Sequence, residues 1–314
     1  MTVEEKTHVT VDEILASGGL PAEVLPAQSG KTFPDGASYR VEIPSVEGPG
    51  VLAAILDEAD KRGVTVNRVS QGSGAMLHSD AELKQMARLG ADAGLEISLF
   101  IGPREEWGLG AMSRGPDGAT LAGAVRGMRQ LRYAVDDVLR AVDCGIRGFL
   151  VADLGLLRVL TTAQRNGRIP ADVVWKVSVM LAPSNPATTA LLEELGAGTI
   201  NLPADLTLAE LAEMRAVCDL PLDLYLEAPD YLGGVVRGEQ IVDIVAACAP
   251  LYAKFGLRNS RLLYPSGMHI QHDAELIGRE KVRRAQIALE WAARSGRQLR
   301  QSEPGAAGLA VPVR

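Results

Sequence analysis

The sequence predicts a closed (β/α)8 barrel, and three observations favour that fold. Short segments in which apolar and polar residues alternate are each followed by a helical segment, and this strand–helix unit occurs eight times between residues 39 and 296. A glycine precedes the next strand after at least four helices, at Gly63, Gly94, Gly145 and Gly198. Strands that alternate with helices pair in parallel, and eight such units close into a barrel. An open doubly wound sheet is the alternative, but no GxGxxG motif follows the first strand.

The first half of the predicted barrel begins at Tyr39. Alternation of apolar and polar residues marks its strands, and capping signals mark the helix ends. Ser79 and Glu82, for example, have the spacing of a capping box. The predicted strands are 39–44, 64–71, 95–102 and 146–153, and the predicted helices are 51–62, 79–94, 131–142 and 156–166.

The second half follows the same rules. Pro186 suits the first turn of a helix, and Thr207 with Glu210 forms another capping-box pair. The segment 103–127 is the longest irregular connection, and such loops are usually lids, binding loops or disordered. The predicted strands are 173–181, 199–203, 220–229 and 251–258, and the helices are 186–196, one from 207, 240–248 and 273–294. Residues 1–38 form an N-terminal extension, 39–296 the barrel, and 297–314 a flexible tail rich in Gly, Ala and Pro.

Composition narrows the class of protein. The chain has 314 residues, of which 47% are hydrophobic, enough for a sizeable core. Its net charge of -7 does not favour a nucleic-acid partner, and no apolar run is long enough for a membrane span. The charged N-terminus has no apolar signal region, and Cys144, Cys218 and Cys248 lack a CxxC spacing. We therefore expect a cytoplasmic protein with reduced thiols that binds a small molecule, as a monomer or as a homo-oligomer.

The inward faces of the predicted strands are unusually charged. Because helices must cover the apolar face of each strand, the inward set follows by elimination. Charges inside a barrel are costly unless paired, so these side chains are expected to form a compensating network. Those early in their strands have a structural role, whereas those late in their strands lie at the C-terminal rim, where barrel active sites form. The predicted charged inward residues are Arg40, Glu42, Glu96, Lys176, Asp223, Glu227 and Lys254.

The candidate site is predicted at this rim, and two chemistries are open there. Glu42 and Glu227 would act as general acid and base, since two carboxylates near one cation can have separated pKa values. Alternatively, Lys254 or Lys176 would form a Schiff base, as in a lyase or aldolase. A third hypothesis is a non-catalytic binding or assembly subunit. The candidate catalytic residues are Glu42, Glu227, Lys254 and Lys176, and the candidate substrate-binding residues are Gln71, Arg104, Asp153, Asn201, Arg258 and Asn259.

Two of these assignments have an alternative reading. Asp153 is equally suited to cap the helix that follows it. Lys176 is equally suited to neutralise the barrel's acidic residues. No cofactor is predicted, but a divalent metal is compatible with His269 and His272, which lie three residues apart without an obvious third ligand.

The segment 223–270, DLYLEAPDYLGGVVRGEQIVDIVAACAPLYAKFGLRNSRLLYPSGMHI, resembles short, barrel-only members of the peptidase U32 family. The resemblance implies a barrel and a peptidase or collagenase-like hydrolase activity. Other members are linked to hydroxylation of RNA or of quinone precursors and carry cysteine clusters, some of which bind iron–sulfur. Three scattered cysteines cannot supply such a cluster, so we predict none here.

Overall fold

The structure, a computed structural model, describes residues 10–19, 26–104, 107–108, 112, 115 and 118–314. Its centre is a closed barrel in which each strand pairs in parallel with the next and β8 closes on β1. The predicted (β/α)8 barrel is therefore confirmed. The strands are β1 Tyr39–Pro44, β2 Arg68–Gln71, β3 Glu96–Phe100, β4 Gly148–Val151, β5 Val174–Val177, β6 Thr199–Asn201, β7 Leu222–Glu227 and β8 Leu251–Phe255.

Helices cover the outside of the barrel, and their ends follow the capping signals. The Ser79 hydroxyl accepts the backbone N–H of Glu82 at the start of α3, and Gly94 ends that helix in the left-handed conformation. No helix in the described part of the chain combines the length and the apolar character that crossing a bilayer requires. The covering helices are α2 Pro49–Arg62, α3 Asp80–Ala93, α4 Gly127–Asp143, α5 Leu154–Arg165, α6 Pro186–Glu194, α7 Leu208–Val217, α8 Ile241–Cys248 and α9 Gln271–Arg294, whereas α1 Val11–Ser17 precedes the barrel and has no buried residue.

The outward side chains of the strands form the main hydrophobic core. Val41 and Ile43 of β1, Leu224 and Leu226 of β7, and Phe255 of β8 are buried there beneath the helices. Because strand side chains alternate between the two faces, burial of this face directs the intervening residues into the barrel. The charged residues between them are therefore inside.

The segment 26–38 lies across the N-terminal end of the barrel. Lys31 donates from Nζ to the carbonyl oxygen of Cys218 at 2.9 Å. Phe33 is buried, and its ring lies 4.0 Å from the guanidinium of Arg40 and packs edge-on against Tyr252. This part of the N-terminal extension thus closes the bottom of the barrel with an aromatic side chain.

The tail 297–314 packs against the same end, where the sequence predicts a loose segment. Nε of Arg40 donates to the hydroxyl of Ser302 at 2.9 Å, and the backbone N–H of Ala310 donates to Oε2 of Glu96 at 3.3 Å. Composition indicates a lack of helix and regular strand, and the tail has neither. Polar groups of the tail nevertheless form hydrogen bonds with the buried charged side chains at the bottom of the barrel. Composition alone cannot reveal these contacts.

Candidate active site

An ion-pair layer fills the middle of the barrel, and Arg68 of β2 stands at its centre. Its Nε donates to Oε1 of Glu96 at 2.5 Å, and its Nη1 donates to Asp223 at 2.9 Å and to Glu42 at 3.3 Å. The guanidinium also lies 3.3 Å from the ring centre of Tyr252. A buried guanidinium that meets three carboxylates has the compensation that a charge in a barrel interior requires.

Lys176 is the second cation of this layer. Its Nζ pairs with Oδ2 of Asp223 at 3.1 Å and with Oε2 of Glu42, and its side chain is fully buried. It is not among the residues that line the cavity above, and its contacts with two carboxylates are those that the neutralising alternative requires. The formal charges of the layer, together with that of Arg40 below it, cancel when all six side chains are ionised: Arg40, Arg68, Lys176, Glu42, Glu96 and Asp223.

A cavity of about 350 Å³ opens directly above the ion-pair layer. Two residues further along a strand, the side chain lies on the same face and one layer higher. Charged or polar residues of the ion-pair layer are therefore followed by neutral residues that line the cavity. These pairs are Arg68 and Ser70 on β2, Lys176 and Ser178 beyond β5, Thr199 and Asn201 on β6, and Asp223 and Tyr225 on β7.

Lys254 presents its amine at the floor of this cavity. It pairs with Glu42 in the register of β1 and β8, and its Nζ lies 3.5 Å from Oε1 of Glu42. The amine also lies 4.1 Å from the ring centre of Tyr225. The side chain is 1% exposed yet lines the cavity, so a bound molecule would meet the amine out of bulk water.

The environment separates the protonation states of Lys254 and Glu42. Burial lowers the pKa of Lys254 to about 7; the Glu42 carboxylate opposes this shift, and the charge of Lys176 adds to it. Burial raises the pKa of Glu42, but Lys176, Lys254 and Arg68 together outweigh it and hold that pKa well below its usual range. Near neutral pH, Lys254 therefore has a large fraction of neutral amine, whereas Glu42 is an ionised acceptor.

Glu227 does not reach the cavity floor. The pairing of β7 with β8 shifts register between Tyr225 and Glu227, which interrupts the alternation of faces. Oε1 of Glu227 accepts the backbone N–H of Arg258 at 3.0 Å, and Oε2 lies 3.7 Å from Nε of Arg284 on α9. Glu227 forms no ion pair with Lys254 among the described residues, and its carboxylate supports the loop after β8.

Three predicted binding residues line the cavity: Gln71, Arg104 and Asn201. Nε2 of Gln71 donates to the carbonyl oxygen of Gly74 at 3.2 Å, and its Oε1 accepts the N–H of Gly74 at 3.0 Å, so this amide also supports the loop after β2. The guanidinium of Arg104 lies 3.8 Å from the ring centre of Phe100, which orients its plane at the cavity wall.

The other predicted binding residues lie elsewhere. Oδ1 of Asp153 accepts the N–H of Leu156 at 2.8 Å, so Asp153 is the N-cap of α5, the alternative that its position left open. Arg258 is exposed, with its Nε 3.7 Å from Oδ1 of Asp230. The backbone N–H of Asn259 donates to Oδ2 of the same aspartate at 2.6 Å. Neither Arg258 nor Asn259 lines the cavity; both lie in the loop after β8.

The histidine pair is also remote from the cavity. His269 and His272 are both exposed, and neither is among the residues that line it. Within the described ranges, no group of three or more His, Cys, Asp or Glu side chains is arranged to hold a metal ion. The structure therefore does not bring these two histidines together with a third ligand of those types.

Sequence reasoning missed Arg68, the central cation. In the segment 64–71, Val64 and Val66 share a period with Arg68, and this pattern suggests that Arg68 points outward. In the structure, β2 begins only at Arg68. The two valines lie before the strand, so their spacing does not indicate which face of β2 carries Arg68. The available signal was charge balance, since the inward carboxylates needed a further cation.

The mouth of the cavity is bounded by a hydrogen-bonded rim that was also not predicted. The hydroxyls of Ser45 and Tyr264 lie 2.6 Å apart, and the N–H of Ser266 donates to Oγ of Ser73 at 2.8 Å. Glu47 accepts the N–H groups of Gly72 and Ser73 at 2.8 Å and 3.0 Å. The loop after β8 is thus attached to the loops after β1 and β2, and Tyr264 lines the cavity.

Comparisons with known proteins give a likeness of fold. No protein-family model matches the sequence, and no curated protein matches it. The structure is similar to that of the U32 peptidase Mk0906, with 18% identity, 67% of this chain and 74% of that chain covered, and a TM-score of 0.41. It is also similar to thiamine phosphate pyrophosphorylase from Pyrococcus furiosus, with 11% identity, coverage of 81% and 98%, and a TM-score of 0.44. The barrel that the U32 resemblance implies is observed, and the peptidase activity that it implies stays a prediction.

Proposed function

We propose that this protein is an enzyme that binds a small anionic carbonyl compound above the ion-pair layer and forms a Schiff base with it through Lys254. The observation that carries the proposal is the position of the amine, which lies at the floor of a cavity of about 350 Å³. Cavities of this size suit small molecules. Arg104, at the wall, supplies a cation for an anionic group of the ligand.

The surroundings of Lys254 suit each step of Schiff-base formation. The neutral amine attacks the carbonyl carbon, a C–N bond forms, and the carbonyl oxygen leaves as water, which takes one proton from the amine and one from solvent. The product is a protonated imine, whose positive charge appears where the ammonium of Lys254 would lie, 3.5 Å from Oε1 of Glu42. Glu42 therefore stabilises the charge that the reaction creates, and the imine is an electron sink for cleavage or formation of a neighbouring bond.

The rival mechanism, in which two carboxylates act as general acid and base, has less support. The carboxylate of Glu42 lies beneath the cavity, ion-paired and held ionised, and Glu227 faces the loop after β8. Among the described residues that line the cavity, none is acidic. A general acid must exchange its proton with the substrate within hydrogen-bond reach, and neither glutamate is so placed here.

Borohydride trapping tests the proposal. The intact protein is incubated with 2-oxobutyrate or with its neutral analogue butanone, reduced with sodium cyanoborohydride, and digested for peptide mass spectrometry. We expect a secondary-amine adduct on Lys254, formed faster from the anionic compound. Hydride adds to the imine carbon, which makes the linkage permanent.

Two variants make the result specific. Lys254→Met removes the amine and is expected to abolish the adduct. Lys281→Met is the matched control, because Lys281 is also buried, with its pKa lowered to about 8 by burial, but it does not line the cavity and its Nζ donates to the carbonyl of Pro44. An adduct that persists in Lys254→Met, or no adduct with either compound, would overturn the proposal. Ligand binding without any adduct would instead favour the non-catalytic alternative.

A further inference from the structure

One polar atom at the cavity floor has no hydrogen-bond partner among the described residues. Oδ1 of Asn201 is buried, and the residue is 2% exposed. Asn201 ends β6 and lines the cavity, one layer above Thr199, whose hydroxyl donates to Asp223 at 2.9 Å. A buried acceptor that lacks a donor is rare in folded proteins, because it has lost its hydrogen bond to water without replacement.

The other polar side chains of the floor are already engaged. Ser70 donates to Oε1 of Glu42 at 2.7 Å, and Oγ of Ser178 accepts the N–H of Met180 at 3.2 Å. Asn201 thus differs from both serines, because it lines the cavity and its buried oxygen has no protein donor among the described residues. The missing donor has to come from whatever fills the cavity.

The chemistry of the cavity restricts that donor. An ammonium group would lie in a cavity that contains Lys254 and the guanidinium of Arg104 and, among its described lining residues, no carboxylate. A cationic donor is therefore disfavoured by charge repulsion and by loss of hydration. A hydroxyl group is neutral and small, and it donates one strong hydrogen bond.

We propose that Asn201 accepts a hydrogen bond from a hydroxyl group of the substrate and so makes the site selective for hydroxylated carbonyl acids. This inference rests on the proposed Schiff-base function, since it concerns the substrate of the same cavity. Asn201 is a specificity-determining residue and takes no part in bond making: the amine of Lys254 still replaces the carbonyl oxygen, and the hydroxyl group remains on the substrate.

Four matched compounds separate the two proposals. Hydroxypyruvate and 2-oxobutyrate have the same number of non-hydrogen atoms and differ by hydroxyl against methyl, as do their neutral counterparts hydroxyacetone and butanone. The measurement is the initial rate of cyanoborohydride-trapped adduct at Lys254 in the full-length chain. Because a hydroxyl group also changes the intrinsic reactivity of a ketone, the quantity compared is the hydroxyl-to-methyl rate ratio in each variant.

We expect the ratio in the wild type to exceed that in Asn201→Ala by about 10-fold or more, since a site that binds a hydroxyl discriminates strongly against its absence. Asn201→Asp keeps an acceptor oxygen and is expected to retain the hydroxyl preference, while its new charge lowers the rate for both acids relative to the ketones. Ser98→Ala is the control, because Oγ of Ser98 is also buried without a partner among the described residues but does not line the cavity. Its ratio is expected to equal that of the wild type.

The outcomes are distinct. Equal ratios in wild type and Asn201→Ala, with adducts still formed at Lys254, would overturn the role of Asn201 and leave the Schiff-base function standing. The same change of ratio in Ser98→Ala would also overturn it, because the effect would then be a general loosening of the barrel. If none of the four compounds forms an adduct at Lys254, the proposed function fails and the inference fails with it.

Discussion

Lys254 and Glu42 face each other across the pairing of β8 with β1, with 3.5 Å between Nζ and Oε1. The same Oε1 accepts the hydroxyl of Ser70, and the other carboxylate oxygen pairs with Lys176. Glu42 is thus shared among several donors, so its charge is only partly available to an ammonium at Lys254. Burial of the amine outweighs the attraction of this shared carboxylate and lowers the pKa of Lys254.

The first prediction concerns the pH dependence of adduct formation. Only the neutral amine attacks a carbonyl, and burial lowers the pKa of Lys254 to about 7. Adduct formation at Lys254 is therefore expected to rise with pH and to level off above about pH 7, whereas labelling of exposed lysines continues to rise toward the ordinary value of 10.5. Peptide mass spectrometry across this range measures both. A Lys254 profile that follows the exposed lysines would contradict the prediction.

The second prediction concerns the stability cost of Lys254. Its folded-state pKa lies below its unfolded-state value, so between about pH 7 and 10.5 the unfolded chain binds more protons and stability rises with pH. Lys254→Met lacks this penalty and is expected to be more stable than the wild type by about 1–4 kcal/mol near pH 7.

Denaturant unfolding at several pH values checks this prediction. The difference between Lys254→Met and the wild type is expected to be largest at pH 7 and below, and to shrink as pH approaches 10. A variant that is less stable than the wild type at pH 7 would show that the amine is a net stabilising member of the ion-pair layer.

The third prediction contrasts two glutamates. Glu42→Gln leaves Lys176 and Arg68 with one carboxylate fewer and is expected to destabilise the fold by about 3–5 kcal/mol. Glu227→Gln keeps an acceptor for the N–H of Arg258 and is expected to cost about 1 kcal/mol, with adduct formation at Lys254 unchanged. Unfolding curves and adduct rates on both variants test this ranking. A large loss of adduct in Glu227→Gln would restore Glu227 as a catalytic candidate.

Much of the architecture could be predicted from the sequence, because period-two alternation and helix caps are local signals. The inward direction of Glu42, Lys176 and Lys254 followed from the same alternation. The position of Glu227 could not be predicted, since the irregularity in β7 is defined by its pairing with β8. The role of the tail was equally hidden, because it depends on contacts with strands more than 200 residues earlier in the sequence.

The fourth prediction concerns the tail. Ser302→Ala removes the acceptor of Nε of Arg40, a buried charged donor, and is expected to cost about 1.5–3 kcal/mol. Ser295→Ala is a suitable control, because its hydroxyl donates to a backbone carbonyl near the exposed end of α9. Thermal and denaturant unfolding compare the two. Equal stability of Ser302→Ala and the wild type would mean that the tail does not hold the bottom of the barrel in solution.

The last prediction concerns the rim of the cavity. Tyr264→Phe keeps the ring that lines the cavity and removes the 2.6 Å hydrogen bond between its hydroxyl and that of Ser45. The loop after β8 is then held less firmly to β1, so we expect ligand affinity to fall several-fold while global stability changes by about 1 kcal/mol or less. Ser45→Ala removes the same bond from the other side. If the loss of this hydrogen bond causes the loss of affinity, the double variant is expected to bind the ligand no more weakly than either single variant, because the effects of mutations at coupled sites are not additive. Additive losses of affinity, measured by saturation of the adduct rate with 2-oxobutyrate, would show that the two hydroxyls act separately.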